Sequence, residues 1–129
     1  MTRMPGERLR VLVVEDSAAM RSFVTAALEQ GGPFDVITCS NGFEALRVLP
    51  RTQLDLIITD INMPDINGLE LVKFVRESER HKTTPLLLIS TDSRTADRER
   101  GMKLGADAYL VKPFEPQQLL DVVGQVVNK

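Results

Sequence analysis

Short apolar runs and helical stripes alternate along this chain. Leu9 to Val14 is a β-branched run, the pattern of a buried strand. Met20, Phe23, Val24, Ala27 and Leu28 follow at the i, i+3, i+4, i+7, i+8 spacing of one helical face. Gly31-Gly32-Pro33 stops that helix. Phe34 to Cys39 reads as a second strand, and Asn41-Gly42 turns into a short helix ending near Pro50. Leu54 to Thr59 is the third strand. Asn67-Gly68 then opens a helix with Leu71, Val72 and Val75 on its inner face. Pro85 to Ile89 and Ala106 to Val111 are strands four and five. Glu115 to Val127 is the last helix, with Leu119, Val122, Val123, Val126 and Val127 at helical spacing. The fourth helical stretch differs. Arg94 to Lys103 is dense in charge, and only Ala96, Met102 and Leu104 offer apolar contact, so this helix is expected to be weakly held.

Alternating strands and helices predict an α/β fold. Parallel strands need right-handed crossovers, which place helices on both faces of the sheet. Five strands with connections this short suit a flavodoxin-like, doubly wound parallel sheet of order 2-1-3-4-5 with five helices. In such a sheet ligands bind beyond the C-terminal strand ends, where the order reverses between strands one and three. Residues 9–129 are expected to form this domain. Met1 to Arg8, with Pro5 and Gly6 and little to bury, is expected to be a flexible N-terminal tail.

Composition narrows the class of function. At 129 residues the chain is about one domain and can bury a core. A net charge of −2 gives no electrostatic case for nucleic acid or an anionic membrane. Cys39 is the single cysteine, so no intrachain disulfide can form, and a reducing, cytoplasmic setting is expected. No apolar stretch approaches membrane-spanning length, and the start lacks the apolar region of a signal peptide. Only Asn128-Lys129 follow the last helical pattern, so if this is the whole natural chain no output domain is expected; a monomer is expected.

The strand ends carry the chemistry. Strand one ends in Glu15-Asp16, strand three in Asp60, strand four in Ser90-Thr91 and strand five in Lys112-Pro113. Taken singly, each has a bland explanation: Asp16-Ser17 could cap a helix, Ser90 and Thr91 could be strand-end hydroxyls, and Lys112 a solvated lysine. Four strand ends meeting on one sheet edge favour a single site. Three close carboxylates repel and stay ionised only beside a cation. Magnesium suits oxygen ligands and keeps waters. Asp16 and Asp60 are expected to bind it directly, Glu15 partly through water, and a backbone carbonyl near Asn62 to complete the protein share. An aspartate can also act as a nucleophile and form an acyl phosphate. Lys112 and the cation would then stabilise charge on the transferring group. Ser90, or its neighbour Thr91, would hydrogen-bond a phosphoryl oxygen. His81, the only histidine, lies in a polar stretch and is expected at the surface.

The set Glu15-Asp16, Asp60-Ile61-Asn62-Met63-Pro64, Gly68, Ser90, Tyr109 and Lys112-Pro113-Phe114 resembles the receiver domain of two-component response regulators. The likeness runs from about Leu9 to Val127. Asn62, Met20, Tyr109 and the missing output domain make it most similar to the stand-alone chemotaxis (CheY-like) type. The resemblance implies that Asp60 accepts phosphate from a histidine kinase and that Glu15, Asp16 and Asp60 bind Mg2+. It implies a cis Lys112–Pro113 bond. It also implies that Ser90 and Tyr109 report phosphorylation to a downstream target protein on the face of helix four, strand five and helix five, with Tyr109 rotating inward from an exposed position. Ser90 aligns with the family hydroxyl better than Thr91. Asn62 and Asp92, each two residues past a site residue, are expected to tune phosphate lifetime.

Other chemistries fit less well. A phosphorylation-independent pseudo-receiver would not need Asp60 and Lys112. A magnesium phosphatase of the haloacid dehalogenase type wants an aspartate where Asn62 stands. A flavodoxin would place phosphate against the acidic Glu15-Asp16 loop, which repels it.

Overall fold

The computed structural model describes residues 7–91 and 95–128. Within them the elements are β1 Leu9–Val14, α1 Ala18–Gly31, β2 Phe34–Cys39, α2 Gly42–Val48, β3 Leu56–Asp60, α3 Gly68–Glu77, β4 Leu86–Ser90, α4 Thr95–Leu104, β5 Ala108–Val111 and α5 Pro116–Val127. A short 3₁₀ turn, Leu49–Arg51, extends α2. The strands are parallel in the order β2-β1-β3-β4-β5, the flavodoxin-like order that the alternation predicts.

β3 and β4 are buried at every position. Both faces of the central strands are covered by helices, so these strands read as unbroken apolar runs rather than alternations. The pleat sorts their side chains. Leu12, Val14, Ile57, Leu86 and Leu88 pack with Ala45 of α2 and Leu71, Val72 and Val75 of α3. Val11, Val13, Ile58, Leu87 and Ile89 pack with Val24 and Leu28 of α1 and Leu119 and Val123 of α5.

α4 is held otherwise than expected. Of the three apolar residues only Leu104 packs against the core; Ala96 is exposed and Met102 is 42% exposed. The buried position is Gly101, which brings the helix so near β4 that a Cβ there would sit 2.5 Å from Leu88 Cδ1. A missing side chain at Gly101 and the one apolar contact of Leu104 let this charged helix dock. α4 ends where Gly105 turns the chain at φ +119°, a conformation that suits glycine.

His81 is a second departure. It is fully buried, not at the surface. The chain between α3 and β4 crosses the lower edge of the sheet, and its inward carbonyls need donors. His81 Nε2 lies 2.8 Å from the Leu49 carbonyl oxygen, which can only accept, so Nε2 carries a proton. Nδ1 lies 3.1 Å from Thr84 Oγ1. Arg76 completes this knot. Its guanidinium donates to the carbonyls of Gly105 (2.8 Å), His81 (3.1 Å) and Thr84 (2.7 Å) and pairs with Asp107 at 3.0 Å.

Candidate metal and phosphoryl site

The upper edge of the sheet gathers the acidic residues. Val14 pairs with Thr59, so the chain leaves β1 beside the end of β3. Glu15 follows directly, its N–H donating to the Cys39 carbonyl at 3.0 Å. Asp60 is the last residue of β3 rather than the first beyond it, paired with Ile89. Carboxylate oxygens of Glu15, Asp16 and Asp60 lie within 4.8 Å of one another. Glu15 and Asp60 are buried, and Asp16 is exposed. Ser17 caps α1, its Oγ accepting from Met20 N at 3.2 Å. The capping role open to Asp16-Ser17 thus falls to Ser17, and Asp16 joins the cluster.

Lys112 answers from just past the end of β5. Its N–H donates to the Ser90 carbonyl at 2.7 Å. Its Nζ lies 2.6 Å from Glu15 Oε1 and 3.4 Å from Asp60 Oδ1. The Lys112–Pro113 bond is cis, as the resemblance implies. Glu15 Oε2 also accepts from Ser17 N at 3.0 Å, and Arg21 holds the Glu15 carbonyl at 2.8 Å. The Asn62 N–H faces the Asp60 carboxylate and favours its charged form. Gly68 makes room for this crowding. A Cβ there would collide with the Asp60 carbonyl oxygen and stand 2.8 Å from Ile61 Cα.

Burial pushes the Asp60 carboxyl above its ordinary range; Lys112 and the Asn62 N–H oppose that rise, and the Asp16 charge adds to it. Glu15 is raised likewise, first by burial, with Lys112 and the Ser17 N–H pulling down and Asp60 pushing up. Three carboxylates face one ammonium in a partly dry recess. The donor set is all oxygen and open to solvent at Asp16. That chemistry fits a hard divalent cation that keeps some waters.

The remaining residues sort as follows. Ser90 is fully buried at the end of β4. Asn62 is exposed on the loop after β3. Asp92 lies outside the described residues, as does Arg94. Tyr109 is not in an exposed position: it is buried in the α2–α4 face of the core, with the Arg98 guanidinium carbon 5.9 Å from its ring centroid. β5 turns this side chain under α4, and the arginine covers what the helix leaves open. Sequence reasoning missed Arg21 and Asp65. Asp65 accepts from the N–H groups of Gly42 (3.2 Å) and Phe43 (2.9 Å), partners more than twenty positions earlier that no local pattern flags.

Among the described residues no helix is long and apolar enough to cross a membrane. The family described as the response regulator receiver domain matches residues 11–124. The chemotaxis protein CheY1 of Helicobacter pylori is 40% identical over 121 residues, covering 93% of this chain and 98% of that one. A chemotaxis protein CheY homolog of Campylobacter jejuni is 37% identical over 121 residues, covering 93% of both. The solved chemotaxis response regulator CheY4 of Vibrio cholerae superposes with a TM-score of 0.88 at 37% identity, covering 93% of this chain and 99% of that one. The acidic edge, its lysine and these likenesses agree, and the chain belongs to the response regulator receiver family of two-component systems, alongside relatives of the CheY type.

Proposed function

We propose that Asp60 is the phosphoacceptor of a cytoplasmic chemotaxis-type relay and that residues 9–129 act as its receiver domain. The observation that carries this is one carboxylate, Asp60, buried at a strand end, with Lys112 Nζ 3.4 Å away and the Glu15 and Asp16 oxygens within 4.8 Å. An Asp60 oxygen attacks phosphorus, the bond from phosphorus to the kinase histidine nitrogen breaks, and that nitrogen leaves with the electron pair. Lys112 neutralises charge growing on the phosphoryl oxygens. Asp16, Asp60 and the Asn62 carbonyl would hold Mg2+ directly, with Glu15 acting partly through water. The bound cation supplies charge neutralisation for the incoming phosphoryl group. Ser90 hydrogen-bonds a phosphoryl oxygen. Asn62 and Asp92 set the lifetime of the acyl phosphate.

The partners are a histidine kinase and a downstream target protein that reads α4, β5 and α5. The receiver acts as a monomer that catalyses only its own phosphorylation and dephosphorylation. Incubation with acetyl phosphate and Mg2+ should add one phosphoryl group to the wild type and none to Asp60→Asn. Label retained on Asp60→Asn would overturn the assignment. A wild type left unmodified would instead mark a phosphorylation-independent interaction module.

A further inference from the structure

We infer that Asp65 is a positioning residue for this site: it ties the loop that carries Asn62 to the start of α2. The inference rests on the proposed role of Asn62 beside Asp60. The inner half of the loop is fastened by backbone. Ile61 N donates to the Ile89 carbonyl at 3.1 Å, and Gly68 N to the Ile61 carbonyl at 2.8 Å. Ile61 and Met63 are buried on either side of the exposed Asn62. Beyond Met63 comes Pro64, which has no N–H to give.

The outer half is held across the fold. Both Asp65 oxygens are engaged, Oδ1 by Gly42 N at 3.2 Å and Oδ2 by Phe43 N at 2.9 Å. These bonds outweigh the burial that pushes its carboxyl up, and it lies below its ordinary range. Ile66 seats against Gly42 so closely that a Cβ on the glycine would stand 2.7 Å from Ile66 Cβ. α2 also has a cap of its own. Asn41 Oδ1 accepts from Glu44 N at 2.9 Å. Asp65 serves different amides, so the helix start is shared between a local cap and a long-range clip.

The clip limits how far the loop can swing about Met63. Asn62 sits on the inner side of that pivot, where its N–H faces Asp60 and its carbonyl would serve the proposed cation. Releasing Asp65 should therefore loosen the oxygen donor without removing it. By linkage, filling the site should also be felt at Gly42 and Phe43.

The test uses the whole chain and Mg2+ alone, read by calorimetry and by amide shifts, with acetyl phosphate added in a second stage. Outer partners of metal ligands commonly matter about 10-fold or more in affinity, and Asp65→Ala is expected to weaken Mg2+ by about 10-fold. Its modification rate at saturating Mg2+ should return close to that of the wild type. Asp65→Asn, which keeps one acceptor oxygen, should recover much of the affinity. Asn41→Ala is the control: it lowers the melting temperature by removing the local cap but should leave Mg2+ affinity unchanged. In the wild type, Mg2+ should shift the Gly42 and Phe43 amides, and Asp65→Ala should abolish that response. Wild-type affinity in Asp65→Ala, or an equal loss in Asn41→Ala, would reduce Asp65 to a cap of α2. A wild type that binds no Mg2+ would instead remove the site reading on which the clip depends.

Discussion

Asp60 shows what one buried carboxylate costs the fold. Its folded-state pKa is raised above the ordinary 3.8. The unfolded chain therefore ionises at lower pH, and the ionised group disfavours folding. That penalty is fully present above the raised value and fades as pH falls through it toward 3.8. Without Mg2+, Asp60→Asn should melt higher than the wild type at neutral pH, and the gap should close as the solution is acidified. Melting curves of both proteins in a chelator check this; a gap that does not change with pH would contradict it. His81 is the opposite case. Its burial was illegible in the sequence, because a lone histidine in a polar stretch carries no periodicity. The Leu49 carbonyl needs a donor, and only the folded chain brings the ring to it. His81→Leu leaves Leu49 and Thr84 short of partners and should lower stability by about 1–3 kcal/mol in denaturant titrations, with little change in Mg2+ affinity.

At the scale of elements, glycines decide how helices meet strands. Gly68 lets α3 begin against the Asp60 carbonyl, and a backbone atom cannot step aside for a methyl group. Gly124, in α5, has open space around it. Gly124→Ala should therefore raise stability by about 0.5–1 kcal/mol through helix propensity. Gly68→Ala should lower stability and also impair phosphorylation, since the strain falls on Asp60. Chemical denaturation beside acetyl phosphate labelling separates the two; equal effects would contradict the close approach. α4 was legible as weakly apolar, but not its mode of docking. Beside the legible contact of Leu104, its buried position is a glycine, an absent side chain that no hydrophobic pattern records. Tyr109 lies buried under this helix, so the coupling to the target face needs no inward swing. A beryllofluoride phosphoryl mimic with Mg2+ should shift amides near Tyr109 and Met102, as a population shift between two arrangements. Ser90→Ala should blunt those shifts while leaving Asp60 modifiable. Undiminished shifts in Ser90→Ala would remove the hydroxyl from the coupling.

For the whole molecule, the acidic cluster links cation binding to folding. A ligand at 100 times its Kd stabilises the folded state by about 2.7 kcal/mol when it ignores the unfolded chain. Mg2+ should raise the melting temperature of the wild type, and Asp16→Ala should remove most of that rise. An equal rise in both would exclude Asp16 as a ligand. The alternation of apolar runs and helical stripes determined the class of fold and the strand order, because a buried parallel strand and an amphipathic helix have distinct periods and their connections are too short for other routes. It also determined which residues reach the upper edge, since every parallel strand delivers its last residue to the same side. Tertiary structure alone decided what meets across that edge and beneath it. Lys112 finds Glu15 from 97 positions away, Asp65 clips to Gly42 and Phe43, and Arg76 gathers carbonyls from the connection before β4 and the one after α4. Such contacts join unlike residues at separations with no period. The packing of the folded chain sets them, and no pattern along it does.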